Sequence, residues 1–71
     1  MIYNTVTGTL SKREIEVLQH IADGYDYKEI AEKLFLSSET VAAHKKDILR
    51  KMPAKNAANA VKIALNMKLI L

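Results

Sequence analysis

The chain has no cysteine and no tryptophan, and only one phenylalanine, one proline and two glycines among its 71 residues. Without cysteine it can form neither a disulfide nor a thiolate metal site, and a reducing compartment suits it. No apolar run approaches the roughly 18 residues needed to span a membrane. Residues 1–9 lack the basic-then-apolar order of a signal peptide, so the expected setting is the cytoplasm. The two histidines, His20 and His44, are too far apart in sequence for a His-x-x-x-His zinc pair. No nucleophile or acid–base constellation suggests catalysis. The sequence therefore reads as a non-enzyme, with no catalytic residue, metal or cofactor expected.

What is present is charge, unevenly placed. A chain of this length is one domain, with a stability margin of about 3–5 kcal/mol. Residues 1–36 carry four basic and six acidic side chains, a net charge of −2. Residues 37–71 carry seven basic and two acidic ones, a net charge of +5. A base-rich second half is the footprint of a polyanion partner, although solvated lysines alone produce the same count.

Local signals divide the chain into four helices. Residues 1–9 read as a flexible leader, and residues 10–71 as the domain. Leu10 sits where an apolar staple precedes a helix, and Ser11 with Glu14 forms a capping box. Ile15, Leu18, Ile21 and Ala22 make one stripe, with Val17 beside it. Asp23-Gly24 ends that helix, the glycine being free to take the left-handed cap. Asp26 with Glu29 repeats the capping box and opens a second helix, with Ile30, Ala31 and Leu34 inward. Phe35 and Leu36 form a turn. Ser37 caps a third helix over residues 38–52, in which Val41, His44, Ile48 and Met52 share a face. Pro53 stops it. Asn56 caps a fourth helix with a wide apolar face of Ala57, Ala60, Val61, Ala64 and Leu65. Leu69, Ile70 and Leu71 form an apolar tail in need of cover. His20 falls on the outer face of the first helix and reads as solvated. Nothing has the period of a strand, so the fold class is all-α.

A short helix, a turn and a longer basic helix make the arrangement that lays a helix in the DNA major groove. Opposite the apolar stripe of the third helix lie Glu39, Ala42, Ala43, Lys46 and Arg50. Lys46 can reach a guanine edge or a phosphate, and Ala42 and Ala43 can touch a thymine methyl. Ser37, Ser38 and Thr40 stand at a helix N-terminus, which suits a phosphate. Lys28, Lys45 and Arg50 are the further phosphate candidates. Ser37 has an equal claim to be a helix cap only.

From Leu10 to Ile70 the chain resembles the LuxR-type (GerE-type) helix-turn-helix domain. The resemblance rests on Leu10, Ser11, Arg13 and Glu14 at the start, and on Gly24 after the first helix. It continues through Lys28-Glu29-Ile30-Ala31, then Ser37, Thr40, Val41 and His44. Ile48, Lys51, Ala60, Val61, Ala64, Leu69 and Ile70 complete it without a gap. It implies a four-helix DNA-binding domain of a bacterial transcription regulator, often a response regulator. It implies base contacts at Ala42, Ala43 and Lys46, and phosphate contacts at Lys28, Ser37, Thr40 and Lys45. It also implies a homodimer on double-stranded DNA through the fourth helix, a seam assigned to Ala57, Val61, Ala64 and Leu65, with RNA polymerase as a further partner. Four positions depart from the pattern. Ala42 and Ala57 stand where basic residues are usual, and Phe35 and Lys68 where glycine is usual.

Two alternatives share some of these residues. Tyr27 to Glu32 also resembles region 4 of a sigma factor, which binds DNA within RNA polymerase holoenzyme. A protein-interaction module, pairing through the Ala-rich fourth helix with a related regulator, would tolerate the missing bases at positions 42 and 57.

Overall fold

Each helix begins where a small polar side chain can satisfy free backbone amides. A computed structural model describes residues 10–71, and the leader expected over residues 1–9 lies outside the described residues. Ser11 Oγ accepts from the Glu14 amide at 3.0 Å while the Ser11 amide donates to Glu14 Oε1 at 2.7 Å, opening α1 (Lys12–Ala22). Asp26 and Glu29 exchange the same two bonds, both at 2.9 Å, and open α2 (Tyr27–Leu34). Ser37 Oγ accepts from the Thr40 amide at 3.1 Å at the start of α3 (Ser38–Lys51). Asn56 accepts from the Asn59 amide at 2.8 Å and starts α4 (Ala57–Asn66). All four caps stand where the sequence puts them. The third helix ends at Lys51 rather than at residue 52, because Met52 takes the cap position.

The helix ends share one device. After α1, α2 and α4 a residue turns left-handed and the next amide reaches back to a carbonyl five residues earlier. These bonds are Tyr25 to His20 (3.1 Å), Leu36 to Ala31 (2.9 Å) and Leu69 to Ala64 (2.9 Å). The left-handed residues are Gly24 (φ +96°), Phe35 (φ +58°) and Lys68 (φ +60°). Only the first is a glycine. A side chain in this region costs about 1 kcal/mol, and Phe35 is 94% exposed, so it recovers nothing by packing. Phe35→Gly should therefore raise stability by about 0.5–1 kcal/mol, after allowing for the extra freedom of unfolded glycine. In a thermal melt that is a rise of roughly 2–8 °C. An unchanged or lower melting temperature would refute the strain at this turn.

The core is a single cluster to which every helix contributes. Val17 and Leu18 come from α1, Ile30 and Ala31 from α2, Val41 and Ile48 from α3, and Ala60 and Ala64 from α4, with Leu10, Met52 and Ile70 closing it. α3 packs against each of the other three helices, and α1 also packs against α2 and α4. Ala60 and Ala64 are fully buried, and their small side chains let the α4 backbone approach its neighbours closely. The apolar tail is partly covered: Ile70 is buried and Leu69 packs on the core. The Leu71 amide donates to Gln19 Oε1 at 2.8 Å and Gln19 Nε2 donates to the Leu71 carbonyl at 3.2 Å, tying the tail to α1.

Two expectations change here. Ala64, assigned to a dimer seam, lies in the chain's own core and its side chain reaches no surface. His20 is half-buried rather than solvated. The turn at Gly24 folds Tyr25 back over the last turn of α1, and the two rings meet edge to face with centroids 5.7 Å apart. Among the described residues the His20 Nδ1 atom is enclosed without a hydrogen-bond partner.

Candidate nucleic-acid interface

α3 is positioned by the capped turn before it and the apolar stripe beneath it. Val41, Ile48 and Met52 anchor that stripe in the core, which turns Glu39, Ala43, Lys46 and Arg50 to the exposed side. Glu39, Ala42, Ala43 and Lys46 line one shallow depression on this side. The three residues expected to touch bases are thus brought together, and a fourth, Glu39, joins them. The two alanines leave the middle open, between a carboxylate at one end and an ammonium at the other.

The phosphate candidates divide by how they are held. Lys28 is exposed on the first turn of α2. Lys45 Nζ lies 5.5 Å from the centre of the Tyr27 ring, within cation–π range. That contact sets Lys45 beside Tyr27, the first residue of α2 and the one before Lys28. Tyr27 escaped the sequence reading, since nothing local pairs residue 27 with residue 45. Arg50 is held by Asp47 at 2.9 Å in an exposed ion pair, worth little in water and easily given up. Ser37 Oγ already caps α3 and lies 2.8 Å from Thr40 Oγ1. Ser38, one residue on, is exposed. The first amides of α3 have no carbonyl partner within the helix, as at every helix start.

Lys51 is not part of this surface. Its ammonium lies 3.0 Å from Glu14 Oε1 and 3.2 Å from Glu14 Oε2, joining α3 to the capping box of α1. Glu14 is buried. Burial pushes its carboxyl up, but the Ser11 amide and the Lys51 ammonium together outweigh this and hold its pKa below the ordinary value. One base of the α3 run is therefore structural. Among the described residues Lys46 makes no side-chain hydrogen bond, ion pair or ring contact, so its charge stands open on the exposed face.

The surface expected to pair two copies is divided. Ala57 lines an apolar depression with Ile21, Tyr25, Asp26, Tyr27 and Lys28, at the gap between the starts of α2 and α4. Val61 is half-buried and Leu65 is 45% exposed. No helix among the described residues is long and apolar enough to cross a membrane.

Residues 8–64 match the family described as "Bacterial regulatory proteins, luxR family". Over 61 residues, 86% of this chain, it is 54% identical to the "Oxygen regulatory protein NreC" of Staphylococcus carnosus (strain TM300). The protein of the same name from Staphylococcus aureus (strain JH9) is equally similar. In both cases the match covers 28% of the relative, so the chain corresponds to a little over a quarter of these proteins.

Proposed function

We infer the function from one fixed point: the chain belongs to the luxR family of bacterial regulatory proteins. Membership makes it a DNA-binding domain of transcription regulation. We propose that it acts in the cytoplasm as the DNA-binding part of a response regulator. The matched relatives are named for oxygen regulation, and the regulatory role alone is carried over here. α3 lies in the major groove, with Ala42, Ala43 and Lys46 toward the bases. Lys28, Lys45, Arg50 and the α3 start with Ser37, Ser38 and Thr40 lie toward phosphates.

The observation that carries this reading is the exposed face of α3, where Lys46, without a partner among the described residues, stands beside two alanines. Lys28 is exposed on the first turn of α2, and Lys45 is held against the Tyr27 ring at the start of that helix. Lys28→Ala and Lys45→Ala should each weaken binding to all sequences alike. Each should also reduce the slope of log affinity against log salt by about one. Duplex titrations at several salt concentrations measure both effects. An unchanged slope in both variants would remove these side chains from the phosphate contacts.

We further propose that two copies bind half-sites about 34 Å apart, paired through α4 at Ala57, Val61 and Leu65. The half-exposed Leu65 supports this seam. Val61→Glu should abolish paired occupancy of a two-half-site duplex while leaving single-site binding. Paired binding by that variant, seen by sedimentation or native mass spectrometry, would rule the seam out. RNA polymerase is the proposed partner at the promoter.

A further inference from the structure

Glu39 presents a difficulty for any DNA-facing surface. It is exposed, it lines the same depression as Ala42, Ala43 and Lys46, and among the described residues its side chain has no hydrogen bond or ion pair. A carboxylate aimed at a polyanion repels it unless a donor meets it. In the major groove the donors on base edges are the amino groups of cytosine and adenine. Adenine sets its amino group beside the N7 acceptor, which would face the other carboxylate oxygen. Cytosine has no acceptor beside its N4 amino group. An ionised carboxylate only accepts, so cytosine is the base it fits.

We propose that Glu39 is a specificity-determining residue that reads cytosine N4. The inference rests on the DNA-binding reading above and adds a base to it. Lys46 is seven residues along α3, about 10 Å at the helical rise, or about three base pairs where the helix axis follows the groove. The depression then reads as a short code: cytosine at the Glu39 end, a thymine methyl against Ala42 and Ala43, guanine at the Lys46 end.

A simpler role for Glu39 is to complement the positive end of the α3 dipole, since it stands in the first turn. The two roles separate by readout. Loss of a dipole role lowers thermal stability and changes affinity for every sequence alike. A reading role changes one base and leaves the others.

The test is selection of bound duplexes from a randomised pool by the full chain, as wild type, Glu39→Ala and Glu39→Gln, with a thermal melt of each. Wild type should enrich sites with cytosine at one position, discriminated about tenfold. Glu39→Ala should lose that preference alone and bind random duplex more tightly, a negative charge having gone. Glu39→Gln should shift the same position toward adenine, which glutamine contacts through N6 and N7. Identical preferences in all three chains would overturn the assignment of Glu39 and leave DNA binding standing. Wild type that binds random duplex but enriches no cytosine would do the same. Wild type that binds no duplex would overturn the DNA reading itself, and this inference with it.

Discussion

Replacing Glu14 by alanine is expected to lower the melting temperature by at least about 10 °C. Three features set that size. The Glu14 side chain is 6% exposed and its Lys51 partner 28%, so the pair is largely shielded from water. Removing one partner of a buried pair costs about 3–5 kcal/mol, and the partial exposure of Lys51 reduces this to about 2–4 kcal/mol. The variant also loses the acceptor for the Ser11 amide. In a domain holding about 3–5 kcal/mol in all, much of the population at 37 °C would be unfolded. Glu14→Gln keeps an acceptor for Ser11 and loses the charge, so it should fall between wild type and Glu14→Ala. The pH dependence follows from the lowered Glu14 pKa. A carboxylate that titrates lower in the fold than in the unfolded chain stabilises above the ordinary value of 4.5. That stability is lost as pH falls through the folded value. The gap in melting temperature between wild type and Glu14→Gln should therefore be widest near neutrality and close below pH 4.5. A Glu14→Ala chain that melts with wild type would show that the pair does not hold α1 to α3.

Lys46→Ala should have the largest effect on specific DNA binding. Its ammonium is the charge in the middle of the exposed α3 face that no other described side chain engages. A good base contact carries about 1–3 kcal/mol of discrimination, so affinity for the selected site should fall about tenfold or more. Affinity for random duplex should fall less, by the share of one general electrostatic contact. Competition between the selected site and random duplex measures the ratio directly. Equal losses on both would assign Lys46 to a phosphate. No loss on either would take α3 out of the groove.

What the sequence made legible was mostly local. Ser11 with Glu14 and Asp26 with Glu29 are three residues apart, and such a bond depends only on the helix start. Gly24 and Pro53 mark helix ends for the same reason. The Val41–Ile48–Met52 stripe follows from helical periodicity, and it alone turns Ala43 and Lys46 outward. The Glu14–Lys51 pair spans 37 residues and exists only because α3 crosses α1 at that point. Lys51 thus looks, in sequence, like one more base for a polyanion. The fourth helix was ambiguous because alanine suits both a core and a surface. Packing places Ala60 and Ala64 inward and leaves Leu65 half out. His20 was misplaced because the tyrosine covering it arrives by a turn in the backbone, not by helical spacing. Phe35 stands out in the sequence only through the resemblance, as a departure from a usual glycine, and its φ of +58° is the conformation that glycine serves.

The most direct test of the central claim is a fluorescence-anisotropy titration of the chain with random-sequence duplex DNA across a salt series. With Lys28, Lys45 and Arg50 on phosphates and Lys46 adding one general electrostatic contact, log affinity should fall linearly with log salt, with a slope of about −4 per chain. A folded, helical chain that binds no duplex even at low salt would contradict the account, and would shift the weight to a protein partner docking on α4.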